Sequence, residues 1–147
     1  MTQENKELLL KDICARLPYN VICQVEFKEN GKYNSKVMLL SGIFTDEAYF
    51  TTEGGSIYEY KPYLFPLSSI TDKQAKEIQE IVGNPDNACI IRKTDGLELW
   101  LYSIDTDPTI WVDTIFEVQD YLNKNHFDYR GLIEKGLAID ATGLNIY

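Results

Sequence analysis

The 147-residue chain lacks the motifs on which most common catalytic and metal sites depend. It has one histidine, three cysteines and no Cys-x-x-Cys pair, so a structural zinc site is not expected. It contains no phosphate-binding glycine loop, no dinucleotide-binding fingerprint and no nucleophile elbow. The sequence therefore predicts no catalytic residue, no metal and no cofactor.

Basic residues and long apolar runs are also scarce. Lys and Arg number 14 against 23 Asp and Glu, which gives a formal net charge of −9. Nucleic acids attract positively charged surfaces, so direct nucleic-acid binding is disfavoured. No apolar run approaches the ~20 residues of a membrane span, and the polar N-terminus does not resemble an export signal. We therefore predict a cytoplasmic protein without membrane contact, in which Cys14, Cys23 and Cys89 are reduced, buried thiols.

The residues that are present predict one globular α+β domain over residues 1–147. We expect a mostly antiparallel sheet of five or six strands, with three to four helices packed on one of its faces. The predicted helices cover 3–17, 72–82 and 110–124, with a short helical stretch through about Ala138. The predicted strands cover 21–28, 35–44, 48–53, 56–60, 88–93 and 97–104.

Several local patterns refine the predicted strands. Residues 21–28 alternate between apolar and polar side chains, which is typical of a half-buried strand, and Asn30-Gly31 predicts a tight hairpin after it. Residues 35–44 are apolar on both faces, which favours a central strand. The two prolines of residues 61–67 favour extended or edge structure rather than a central strand.

The helices have their own signals. Thr2 is expected to cap the first helix and Pro18 to stop it. Thr71 and Gln74 form a capping box for the second helix, which Gly83 is expected to end. Apolar residues at helical spacing predict the inward faces of the second and third helices: Ala75, Ile78 and Val82, then Trp111, Ile115, Val118 and Leu122.

Residues 94–123 form an acidic stretch that contains no Lys or Arg. Its seven acidic residues are Asp95, Glu98, Asp105, Asp107, Asp113, Glu117 and Asp120. Such a surface can attract a basic protein partner, or it can serve only as the solvated side of a hairpin and a helix. We treat Asp105, Asp107 and Asp113 as candidate binding residues.

The segment His126-Phe127-Asp128-Tyr129-Arg130 concentrates titratable and donor groups. Together with Lys61 and Tyr63, its polar members could bind an anion or carry out acid–base chemistry. The structural alternative is that His126 suits the end of the third helix, Asp128 caps the next helix, and Arg130 pairs with Asp128 or with an acid on the third helix.

Three stretches, residues 8–19, 61–71 and 121–138, resemble a family of small proteins encoded by gut Bacteroidales and their phages and mobile elements. The longest runs from Tyr121 to Ala138 and includes Asn123-Lys124-Asn125-His126-Phe127-Asp128-Tyr129-Arg130-Gly131. The resemblance implies a mobile-element accessory protein, and it transfers no activity, substrate or catalytic residue. The family pattern has a basic residue where this chain has Phe65 and a second histidine where it has Asn125. These two differences disfavour anion or metal binding here.

Two functions remain open at this stage. The first is a non-enzymatic module that binds another protein through the acidic stretch or through the His126–Arg130 turn. A basic protein would be a natural partner. The second is a small ligand-binding protein or enzyme that uses Lys61 and Tyr63 with His126, Asp128, Tyr129 and Arg130.

Overall fold

The computed structural model describes residues 1–44, 47–50, 56–83, 88–93, 96–101 and 108–147, and the side chains of 1–43, 59–83 and 115–147. The chain divides into two units, the first formed by Met1–Phe65 with Arg130–Tyr147 and the second by Pro66–Tyr129. The single domain expected over residues 1–147 stays a prediction.

The helices and strands of the described residues have the following bounds. The helices are α1 (Gln3–Arg16), α2 (Asp72–Val82) and α3 (Pro108–Lys124). The strands are β1 (Ile22–Glu29), β2 (Lys32–Phe44), β3 (Glu47–Phe50), β4 (Ser56–Pro66), β5 (Ala88–Lys93), β6 (Gly96–Leu101), β7 (Phe127–Asp128) and β8 (Ile139–Asp140). The predicted α+β class with a mostly antiparallel sheet is confirmed.

Helix α1 opens the first unit, with its N-terminus capped as predicted. The Thr2 hydroxyl accepts a hydrogen bond from the Asn5 backbone N–H at 3.2 Å, and a 3-10 turn that includes Pro18 follows the helix. The predicted burial of Cys14 is wrong, because its side chain is exposed. The buried positions are instead Leu9, Asp12, Ile13 and Arg16, which follow helical spacing along the other side of α1.

The sheet of the first unit runs in the order β3-β2-β1-β4, with antiparallel neighbours. The predicted hairpin joins β1 to β2, and its two turn residues, Asn30 and Gly31, have φ values of 50° and 79°. This left-handed geometry is what a two-residue turn between twisted strands needs. As predicted, β1 is half-buried, with Cys23, Val25 and Phe27 on its buried side.

Strand β2 is correctly predicted to have neighbours on both sides, because β1 and β3 both pair with it. Its apolar side chains are not all buried, since Val37 is 56% exposed and Leu39 is 49% exposed. Apolar residues occur on both faces of β2, but the hydrophobic core covers only one face.

Strand β4 is extended as the prolines predict, but it is not an edge strand, because β1 pairs with it on one side and β8 on the other. The ladder with β1 ends at the pair Cys23–Pro62, and the parallel ladder with β8 begins at Tyr63. Pro62 therefore lies at the end of one ladder and before the next, where its missing N–H is tolerated.

The C-terminal segment contributes Leu132, Leu137 and Ala138 to the core of the first unit. The predicted helical stretch through Ala138 is wrong: the backbone makes separate turns. Gly131 and Gly136 both have φ of 69°, a left-handed conformation that interrupts a right-handed helix. The remaining core residues are Leu9, Ile13, Val21, Cys23, Val25, Leu40 and Leu64.

The second unit contains α2, α3 and the hairpin of β5 and β6. The predicted capping box is confirmed: the Thr71 hydroxyl accepts from the Gln74 N–H at 3.3 Å, and the Gln74 side chain accepts from the Thr71 N–H at 2.9 Å. Gly83, with φ of 81°, ends α2 as predicted. The turn of the hairpin lies outside the described residues.

The inward face of α3 is only partly as predicted. Val118 is buried, but Ile115 is 43% exposed, so its predicted inward position is wrong. The neighbouring Phe116 is 62% exposed, so this part of α3 presents apolar side chains to solvent. The Tyr121 hydroxyl donates to Glu77 Oε2 at 2.5 Å and links α3 to α2. Among the helices of the described residues, none has both the length and the apolar character to cross a bilayer.

Candidate functional site

The sheet of the first unit has an open side, here called the outer face. It is the side opposite the core, because β1 residues alternate and those facing the core are Cys23, Val25 and Phe27. The outer face consists of Ile22, Gln24, Glu26 and Lys28 on β1, Tyr33, Ser35, Val37 and Leu39 on β2, and Glu59 and Lys61 on β4. The next position of β4 on this side, Tyr63, is only 7% exposed, so the open part of β4 ends at Lys61.

An apolar row follows β2 along the outer face. Tyr33 is 70% exposed, Val37 is 56% exposed and Leu39 is 49% exposed. Val37 and Leu39 are adjacent on this face, and Ser35 separates them from Tyr33. Single exposed apolar residues are common on protein surfaces, but several on one strand face are typical of an interaction site. The row lies on a hydrogen-bonded strand, so its three side chains are held at fixed spacing by the ladder with β1.

Polar contacts order the rest of the outer face. Gln24 donates from Nε2 to Ser35 Oγ at 3.0 Å, and the Lys61 ammonium lies 3.6 Å from the Glu59 carboxylate. Lys28 Nζ lies 5.3 Å from the centre of the Tyr33 ring, within the range of a cation–π contact. The outer face therefore combines an ordered polar half with the apolar row.

A buried ionic cluster lies in the same unit. Arg16 donates from Nε to Asp12 Oδ2 at 2.7 Å and from Nη2 to Asp12 Oδ1 at 3.1 Å. Arg130 Nε lies 3.2 Å from Asp12 Oδ1. The side chains of Asp12 and Arg16 are fully buried, whereas that of Arg130 is 15% exposed. Arg130 thus forms an ion pair with Asp12 on α1. Its expected pairing with Asp128 or with an acid on α3 stays a prediction.

The other members of the predicted His126–Arg130 cluster lie in the second unit. His126 is buried and has φ of 58°, and its backbone N–H donates to the Asn123 carbonyl at 3.1 Å just after the end of α3. This is the left-handed residue that commonly follows a helix. Asp128 is buried within β7, and no helix follows it in the described residues, so its predicted role as a helix cap is wrong.

The Tyr129 hydroxyl has two polar contacts within the second unit. It donates to Asn123 Oδ1 at 3.0 Å and accepts from Gln119 Nε2 at 2.9 Å. These contacts bind the chain after α3 back to the helix. Tyr129 therefore has a clear structural use in the fold.

The two candidates on β4 lie in the first unit. Lys61 belongs to the outer face, with its side chain 38% exposed. Tyr63 is buried, its hydroxyl lies 3.5 Å from Gln24 Oε1, and its backbone carbonyl accepts from the Tyr147 hydroxyl at 2.8 Å. That Lys61 and Tyr63 share a pocket with the His126–Arg130 segment stays a prediction.

The acidic stretch is largely outside the described residues. Asp105 and Asp107 lie there, and Asp113 is described only as part of the α3 backbone. Glu117 and Asp120 are described, and both are exposed on α3.

Two groups of residues were not singled out from the sequence. Asp12 and Arg16 are polar, so they were not assigned to the buried side of α1, although their spacing from Leu9 and Ile13 places all four on one face. The outer-face row was missed because apolar residues on both faces of residues 35–44 indicate a central strand and do not show which face remains exposed.

The chemistry available to the described side chains is limited. Burial raises the pKa of the Cys23 thiol to about 12, so at neutral pH it is protonated and a poor nucleophile. Burial and the carboxylate of Glu77 raise the pKa of Tyr121, which therefore remains a neutral donor. Within the described side chains, no three His, Cys, Asp or Glu residues cluster so that they could hold a metal ion.

Comparison with known proteins adds no family to these observations. No family model matches the chain, and the comparisons with curated proteins and with solved structures gave no match.

Proposed function

We propose that this chain is a non-enzymatic protein-binding module, and that the outer face is its main binding surface. The observation that carries the proposal is the exposed row of Tyr33, Val37 and Leu39. Exposed apolar side chains gain free energy when a partner removes them from water, and tyrosine is frequent among residues that dominate binding.

We favour binding over catalysis because the described side chains with reactive groups are buried or make structural contacts. Cys23 is buried and protonated, and His126 is buried beside the end of α3. Tyr129 and Arg130 contact protein groups that they help to hold in place. These placements support structural roles for residues that an enzyme would present to a substrate.

The cellular setting is part of the proposal. The resemblance of residues 8–19, 61–71 and 121–138 to proteins of Bacteroidales phages and mobile elements supports an accessory role in such an element. A cytoplasmic location is part of the same proposal.

The acidic stretch is proposed as a second contact, for a basic protein. The exposure of Glu117 and Asp120 on α3 supports this. Exposed charge pairs are screened by salt, so we expect such a complex to weaken strongly at about 0.5 M salt. A complex at this stretch that resists salt would contradict the electrostatic contact.

The proposed function is tested by site-specific photo-crosslinking in the host cell. A benzoylphenylalanine placed at Val37 should give discrete protein adducts on irradiation. The same residue placed at Lys73, which is 87% exposed on α2, serves as the control and should give none. Mass spectrometry of the adducts identifies the partner. Failure of Val37 to give a discrete adduct, or equal labelling from both positions, would overturn the outer face as the binding surface.

A further inference from the structure

The outer face is electrically balanced, although the chain as a whole carries a net charge of −9. Its charged residues are two lysines, Lys28 and Lys61, and two glutamates, Glu26 and Glu59. Two copies of a strongly acidic chain repel each other over most of their surfaces. Because positive and negative charges balance on the outer face, this repulsion is absent there. The same face exposes apolar side chains that a partner could cover.

The strand registers arrange the outer face in rows that run across the sheet. One row holds Val37, Gln24 and Lys61, and the next holds Ser35, Glu26 and Glu59. Tyr33 lies one row beyond Ser35, and Leu39 lies one row beyond Val37, at opposite ends of the apolar row. A line drawn midway between these two rows therefore has Lys61 and Glu59 at equivalent positions on its two sides. Leu39 and Tyr33 are related by the same line.

A two-fold axis along that line makes the outer face complementary to itself. It brings Glu59 of one copy opposite Lys61 of the second copy, and Lys61 opposite Glu59, so that each copy contributes to two ion pairs. It also brings Tyr33 opposite Leu39 of the second copy. Reciprocal contacts of this kind are what a symmetric dimer interface requires.

We propose that the outer face binds the outer face of a second copy of this chain, forming a symmetric dimer by face-to-face packing of two sheets. The proposal rests on the proposed function in one respect, namely that this face binds protein, and it names the partner. Packed sheets of this kind keep their strands within about 30° of each other, which allows the rows to remain in contact.

The balance of charge on the outer face favours a second copy of the chain over a nucleic acid or a strongly basic protein as the partner. A nucleic acid needs a positive surface, and the outer face has equal numbers of positive and negative groups. A strongly basic protein would be drawn instead to the acidic stretch. A second copy places Glu59 against Lys61 and Leu39 against Tyr33, so it meets both signs of charge and the two ends of the apolar row.

The first experiment is sedimentation equilibrium of the full chain, with Val37→Asp and Leu39→Asp as variants. We expect the wild-type chain to dimerise at micromolar concentrations and both variants to dimerise at least about tenfold more weakly, because each buries a carboxylate in the apolar row. Phe116→Asp changes an equally exposed apolar side chain on α3 and should leave the dimer unchanged. Circular dichroism verifies that all variants fold.

The second experiment uses charge reversal to test the two-fold axis. Glu59→Lys alone and Lys61→Glu alone each place like charges opposite each other in the homodimer, so each variant should dimerise about tenfold more weakly. An equimolar mixture of the two variants should form a heterodimer of restored affinity, because unlike charges then face each other across the interface. The repulsion within each chain is the same before and after mixing, so restored affinity measures only the contact between chains.

The proposal would be overturned by a wild-type chain that stays monomeric at about 100 μM. At that concentration a specific dimer with a micromolar dissociation constant is well populated. A dimer that Val37→Asp leaves intact, or a mixture of the charge-reversal variants without restored affinity, would also overturn it. If the chain is monomeric but Val37 still crosslinks to a different protein, the dimer is wrong and the proposed function stands. A nucleic acid recovered with the chain and lost in Val37→Asp would also overturn the dimer proposal.

Discussion

Asp12 is the residue whose removal we expect to affect the free energy of unfolding most. It is fully buried and accepts hydrogen bonds from Arg16, with Arg130 in ion-pair contact. Asp12→Leu leaves the buried guanidinium of Arg16 without its carboxylate. Removing one partner of a buried ion pair costs about 3–5 kcal/mol, so we expect a loss of that size in urea unfolding followed by circular dichroism.

The surface pair Lys73–Glu77 provides the matched control for this prediction. It has the same four-residue spacing on a helix, but the Lys73 side chain is 87% exposed and the N–O distance is 3.6 Å. Lys73→Gln should therefore lower the free energy of unfolding by less than about 1 kcal/mol. If Asp12→Leu costs as little as Lys73→Gln, the buried cluster does not stabilise the fold.

Cys14 and Cys23 should differ sharply in reactivity toward N-ethylmaleimide. Cys14 is exposed, whereas Cys23 is buried and its pKa is raised to about 12. Because a raised pKa keeps the Cys23 thiol protonated at pH 8, Cys14 but not Cys23 should be alkylated in the native protein, and both should be alkylated in urea. Peptide mapping by mass spectrometry measures both sites. Rapid native labelling of Cys23 would contradict its burial in the core.

The polarity of individual residues predicted burial correctly at some positions and wrongly at others. The alternation of β1 correctly assigned Cys23, Val25 and Phe27 to the core, because apolar side chains on alternate positions have one common face. The expected burial of Cys14 was wrong, because Asp12 and Arg16 occupy part of the buried side of α1 and Cys14 is exposed. The distant partner of Asp12, Arg130, depends on the tertiary fold and has no local signal in the sequence.

Among the elements, the segment of turns after Gly131 depends on backbone conformation. Gly136 has φ of 69°, and a Cβ placed there meets nothing within 4 Å, so a substitution tests the conformation alone. Gly136→Ala should lower the free energy of unfolding by about 1–2 kcal/mol, because a left-handed conformation is unfavourable for alanine.

Gly42 on β2 is the control for this substitution. It also has no atom within 4 Å of an added Cβ, but its φ is outside the left-handed region. Gly42→Ala should therefore leave the free energy of unfolding unchanged or raise it slightly, because alanine is less flexible in the unfolded chain. Equal losses for the two variants, measured by urea unfolding, would show that φ at Gly136 does not limit the choice of residue.

Elements with a strong local signal were predicted best. The capping box at Thr71, the stop at Gly83 and the turn at Asn30-Gly31 are all confirmed, because each depends on contacts within a few residues. The helical stretch through Ala138 was wrong because its apolar spacing also fits turns that place Leu132 and Leu137 in the core. Pairing of β4 with β8 joins distant parts of the sequence, so the prolines alone suggested an edge.

For the whole molecule, the spacing of apolar residues and the turn signals along the chain were enough to predict the α+β class and the mostly antiparallel sheet. It did not predict the outer face, since which side of a sheet remains open depends on what packs against it. The rows of Glu59 and Lys61 arise from the registers of β4 and β1, which become visible only in the folded chain. The candidate surface therefore follows from the fold, whereas the net charge of −9 follows from the sequence.

That net charge should itself limit stability, and Glu117 is a position where this can be measured. Glu117 is exposed on α3, with Asp120 three residues later and no Lys or Arg in residues 94–123. Like charges at this spacing destabilise a helix, so Glu117→Gln should raise the free energy of unfolding by about 0.2–0.5 kcal/mol in low salt. At about 1 M NaCl, where the screening length is about 3 Å, this gain should disappear.

Glu80→Gln on α2 separates this repulsion from the general effect of replacing a glutamate. Glu80 is also exposed, but Lys76 lies four residues before it and Glu77 three residues before it, so attraction and repulsion on α2 largely cancel. We therefore expect Glu80→Gln to change the free energy of unfolding by less than about 0.2 kcal/mol in low salt. A gain for Glu117→Gln alone, which disappears as salt rises, identifies charge repulsion along α3 as the cause. An equal gain for Glu80→Gln, or a gain for Glu117→Gln that salt does not change, would assign the effect to helix propensity instead.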